Sequence, residues 1–67
     1  MTHTELAALR ERLGMTRREM ATELGISSSR LLDFEIGYTR GRGTAAPIPK
    51  AIVMALELMQ RNRVSAG

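Results

Sequence analysis

The sequence predicts an all-α fold of four short helices, and three observations carry that prediction. The runs Thr2-His3-Thr4-Glu5 and Thr16-Arg17-Arg18-Glu19 are both capping boxes, and glycines stand where the helices they open should stop. Apolar residues recur at helical spacing inside each segment. Only Gly25 and Ile26 stand between the end of the second helix and the cap of the third.

Taken in order, the first helix is expected from about His3 to Leu13, with Gly14 as its left-handed stop and Leu6, Leu9 and Leu13 as its buried stripe. The second opens at Thr16 and ends at Leu24 before Gly25, with Met20, Ala21 and Leu24 facing inward. Ser27 is a good N-cap for a third helix, Ser28 to about Ile36, closed by Gly37, with Leu31 and Phe34 on its apolar side. From Gly37 to Pro47 the chain reads as loop. Pro49 suits the first position of a fourth helix, because its missing N–H has no helical partner there. That helix should run to about Gln60, which sets a single domain at residues 1–62 and a frayed tail at 63–67.

Sixty-seven residues without cysteine leave neither disulfides nor a Cys-based zinc site to staple the fold. A chain this short buries only about 60% of its unfolded surface, so association with a second copy is the remaining route to extra burial. Ten basic residues against seven acidic give +3. Nine of the ten are Arg, the side chain whose planar fork suits phosphate. No apolar run spans a membrane and the N-terminus lacks a secretion pattern, so a cytoplasmic protein is expected. No nucleophile–base pair, metal set or phosphate loop is readable, which argues against an enzyme, a cofactor or a small-molecule ligand. His3 reads as an ordinary surface residue, and Met15, Met20, Met54 and Met59 as core filler.

Two short helices with so brief a connection cannot lie antiparallel; they must cross steeply, as in a helix-turn-helix unit. Ala21 is small where the helices would touch, Gly25 supplies positive φ in the turn, and Ile26 and Leu31 plug the angle between them. The run Thr16-Arg17-Arg18-Glu19-Met20-Ala21-Thr22-Glu23-Leu24-Gly25-Ile26-Ser27, continued by Phe34-Glu35-Ile36-Gly37, resembles the Cro and lambda-repressor type of helix-turn-helix domain. The resemblance covers residues 2 to 37, with the unit itself at 16–37, and Pro47–Leu58 matches a recurring last helix of the smaller members. Among phage and mobile-element members, anti-CRISPR-associated repressors are similar in size and layout. The resemblance implies a compact four-helix domain whose third helix, Ser28–Ile36, lies in the major groove. It also implies a phosphate held at the start of the second helix by Thr16 and Arg17. The family often has Gln where this chain has Arg17.

Helical projection puts Ser28, Ser29, Leu32, Asp33 and Ile36 on the outer face of the third helix, with Arg30 at its flank. Ser27, Ser28 and Ser29 either meet DNA or only cap the helix; Asp33 either reads a base or pairs with Arg30 one turn back; Leu32 and Ile36 suit thymine methyls. This face departs from the Gln, Asn and Arg usual in the family. Tyr38, Arg40 and Arg42 lie among glycines that let the backbone approach a duplex, for phosphate or minor-groove contact; the bland alternative is a solvated loop. On the fourth helix, Ile52, Ala55, Leu56 and Met59 can cover the core, while Ala51, Met54 and Leu58 form a second, leftover stripe suited to a symmetric dimer. Arg10 shares the stripe of Leu6, Leu9 and Leu13, and Glu35 borders the apolar side of the third helix, so a partly buried ion pair between them is expected. The reading that follows is a homodimeric, autoregulatory transcriptional repressor on an inverted repeat of double-stranded DNA, with repression over activation implied by the family resemblance. An antitoxin-like module whose main partner is a protein is the alternative.

Overall fold

Three hydroxyl caps start the first three helices. In the computed structural model, Thr2 opens α1 (His3–Arg12), Thr16 opens α2 (Arg17–Leu24) and Ser27 opens α3 (Ser28–Ile36). Both capping boxes close reciprocally. Glu5 accepts from the Thr2 N–H at 2.9 Å while Thr2 Oγ1 accepts from the Glu5 N–H at 3.1 Å. Glu19 and Thr16 repeat the exchange at 2.8 and 3.1 Å. The backbone is described through Ala66 and side chains through Asn62, so the fraying expected for 63–67 lies outside the fully described residues.

The turn between α2 and α3 works because Gly25 takes φ 74°. The Gly25 N–H then reaches the Thr22 carbonyl at 3.2 Å and the Ile26 N–H reaches the Ala21 carbonyl at 3.0 Å, which satisfies two of the orphan carbonyls of α2. Leu6, Leu9, Met15, Met20, Ala21, Leu31, Phe34 and Leu56 form the core, with Leu13, Leu24, Ile26, Ile48, Ile52 and Met59 packed around it. Burying each of the large side chains contributes about 1.5–3 kcal/mol against exposure.

Four expectations for the second half of the chain need correcting. The segment read as loop contains an antiparallel hairpin, β1 (Tyr38–Thr39) paired with β2 (Thr44–Ala45), in the register Tyr38 to Ala45 and Thr39 to Thr44. Its tip is closed by the Thr39 carbonyl, which accepts from the N–H groups of Arg42 at 3.2 Å and Gly43 at 2.9 Å. The last helix, α4 (Lys50–Ala66), extends beyond Gln60. Its inward side is also narrower than expected: Leu56 is buried and Ile52 and Met59 are half-buried, but Ala55 is exposed. Nor is Met54 core filler, since it stands 59% exposed on the outer face. One turn of contact at Leu56, flanked by residues on the same stripe, is what the core can accommodate.

Candidate nucleic-acid interface

The N-terminal turn of α3 is the centre of the site. Ser27 Oγ accepts from the Arg30 N–H at 3.1 Å, so its hydroxyl acts as the cap. Ser28 and Ser29, the next two residues, are exposed. Leu32, Asp33 and Ile36 are half-buried, which corrects the expectation of a fully open face. For Asp33 the cause is clear, because the hairpin lies against it: Arg40 Nε donates to Asp33 Oδ1 at 2.7 Å. A second Arg40 nitrogen donates to the Ser29 carbonyl at 3.1 Å. Asp33 therefore pairs with Arg40 across the fold and not with Arg30 one turn back. The Arg40 hydrogen bond, ahead of smaller charge effects from Arg40 and Arg30, holds the Asp33 carboxyl below the usual aspartate range.

Arg30 instead sits over the Phe34 ring, 5.3 Å from its centroid. These two residues, with Asp33, Thr39, Ala45, Ala46, Pro47 and Pro49, line a cavity of about 300 Å³ between α3 and the hairpin. Tyr38 and Arg42 are exposed on the hairpin. The site thus gathers Ser28, Ser29, Asp33 and Arg40 at one end of α3, with Arg42 carried on the same hairpin tip as Arg40.

The start of α2 is a second, separate element. The capping box uses the N–H groups of Thr16 and Glu19, leaving those of Arg17 and Arg18 outside it. The Arg17 side chain is 39% exposed and leans inward, with Nε 3.7 Å from Glu35 Oε2. That Nε is buried and has no hydrogen-bond partner.

Behind the site, Glu35 is buried and takes two cations. Arg10 Nε donates to Glu35 Oε2 at 3.0 Å, and another Arg10 nitrogen donates to the Met15 carbonyl at 3.0 Å. The pair links α1 to α3, with side chains 15% and 4% exposed. His3 adds a second link between the same helices. A Cβ on Gly37, whose φ is 89°, would lie 2.9 Å from His3 Nδ1. The imidazole is exposed yet packs directly on the stop of α3.

Sequence reasoning missed three of these features: the hairpin, the Asp33–Arg40 pair that it creates, and Arg17 as the second cation at Glu35. The hairpin had a faint signal in Tyr38, Thr39 and Thr44, three β-prone residues around a four-residue turn rich in glycine.

Among the described residues no group of His, Cys, Asp and Glu is placed to hold a metal ion, and no helix is long and apolar enough to cross a membrane. A family model described as a helix-turn-helix domain matches residues 4–47. The match runs from the first turn of α1 past β2, and α4 lies beyond it. No curated protein and no solved structure matches the chain.

Proposed function

Because the chain belongs to the helix-turn-helix domain family, a DNA-binding module, we propose that it binds a specific double-stranded DNA sequence as a homodimer and represses transcription. The observation that carries this reading is the basic hairpin tip tied to the first turn of α3, where Arg40 reaches the Ser29 carbonyl. A helix entering the major groove contacts base edges with its N-terminal residues, here Ser28 and Ser29. Arg42 on the tip and Arg17 at the start of α2 supply cations for the flanking phosphates. Thr16, Ser27 and Arg30 border this surface, Thr16 and Ser27 as caps. Tyr38 borders it on the hairpin.

The homodimer rests on α4. Met54 and Leu58 are 59% and 55% exposed. With Ala55 they line a shallow groove edged by Glu57 and Arg61, and Ala51 is exposed one turn earlier. A two-fold pairing of this face would read an inverted repeat with half-site centres about 34 Å apart. Occupation of a promoter, including the gene's own, is the mode of repression, in keeping with the resemblance to Cro- and lambda-type and anti-CRISPR-associated repressors. Residues 1–62 act as one domain in the cytoplasm, without cofactor.

Selection of bound duplexes from a random pool tests the reading. An enriched inverted repeat is expected. Failure to enrich any sequence, together with tight binding of a protein through α4, would favour the antitoxin-like alternative, to which the outward Met54 and Leu58 are equally suited.

A further inference from the structure

The tip of the hairpin carries two arginines, Arg40 and Arg42, that composition treats alike. Their surroundings differ. Arg40 spends Nε on Asp33 at 2.7 Å and a terminal nitrogen on the Ser29 carbonyl at 3.1 Å, and its backbone N–H lies 3.5 Å from the same Asp33 oxygen. Among the described residues nothing pairs with the Arg42 side chain.

We propose that Arg40 is a positioning residue of the DNA site, not a phosphate ligand: it locks the hairpin to α3 through Asp33 and Ser29 and leaves Arg42 as the contact made by the tip. The inference rests on the DNA-binding reading above. A carboxylate beside the first turns of a recognition helix faces the polyanion, and like charges brought together at an interface oppose docking. Arg40 neutralises that carboxylate at 2.7 Å. It also fixes where the tip stands relative to Ser28 and Ser29, because one planar fork bridges a side chain and a main-chain carbonyl. A lysine carries the same charge but lacks the fork that spans both acceptors.

The two roles leave different signatures. Losing a phosphate contact weakens binding to all sequences alike and lowers the salt slope by about one. Losing the lock frees the tip and uncovers the Asp33 carboxylate on the base-reading helix, which is felt most where α3 is seated in the groove, so it lowers the ratio of specific to non-specific affinity. Simple loss of folded protein would weaken both affinities together and leave the ratio where it was.

The experiment measures wild type, Arg40→Lys, Arg40→Gln and Arg42→Gln on the duplex selected from a random pool and on a scrambled duplex of equal length, across a salt series. The expected result is a specificity ratio reduced about tenfold in both Arg40 variants, comparable to one mismatched base pair. Arg42→Gln is expected to keep the ratio and lower the slope by about one. A wild-type ratio in either Arg40 variant overturns the assignment of Arg40 while leaving DNA binding in place. A wild-type protein with no preference between the duplexes overturns the DNA-binding reading itself, and the lock falls with it.

Discussion

Glu35 holds two guanidinium groups on one buried oxygen, at 3.0 Å from Arg10 Nε and 3.7 Å from Arg17 Nε. Burying a charge with its partner gives little net stability, but removing one partner strands the other, typically at about 3–5 kcal/mol. Glu35→Leu, which leaves both arginines without their carboxylate, should lower unfolding free energy by about 3–5 kcal/mol, Arg10→Met by less because Arg17 stays 3.7 Å from Glu35, and the double mutant should recover part of the summed loss. Denaturant unfolding checks this; two effects below about 1 kcal/mol that simply add would mark the pair as equivalent to a surface contact. The attraction of Arg10 for Glu35 was legible in sequence, because both charges border apolar stripes. The approach of Arg17 was not, since it depends on how far the start of α2 leans toward Glu35 once the helices have packed. Gly37 offers a second test at this scale. Gly37→Ala combines φ 89° with a Cβ 2.9 Å from His3 Nδ1. It should cost on the order of 1–3 kcal/mol from backbone strain, and His3→Ala should relieve the steric share of that loss.

The hairpin is the element least legible in the sequence. Its strands are two residues each, too short for alternation to show, and what holds it in place is a tertiary bond from Arg40 to Asp33. The first three helices, by contrast, were readable nearly to the residue, because caps and glycine stops are local chemistry. The Asp33–Arg40 bond gives the hairpin a pH dependence whose sign follows from the lowered Asp33 carboxyl. A depressed carboxyl contributes stability above its unfolded value, about pH 4, and loses it as pH falls through the lower folded value. Carboxyl NMR titration should therefore find Asp33 below the ordinary range in the wild type and back within it in Arg40→Gln. An unmoved titration would show that Arg40 is not the cause.

At the scale of the whole molecule, α4 stands partly apart. Only Leu56 is buried there among the described side chains, while Met54 and Leu58 face outward. The sequence showed that this helix has more apolar surface than one core can use, but which residues face outward, Ala55 among them, follows from its final seating. Met54→Glu should shift the sedimentation coefficient from dimer to monomer; a mutant that stays dimeric would move the interface elsewhere. The chain also has one tyrosine and no tryptophan, and that tyrosine, Tyr38, is exposed on β1. Its near-ultraviolet emission therefore comes from a single address beside the hairpin tip. Absorbance-corrected quenching on adding duplex would follow the docking of that hairpin in real time, without any label.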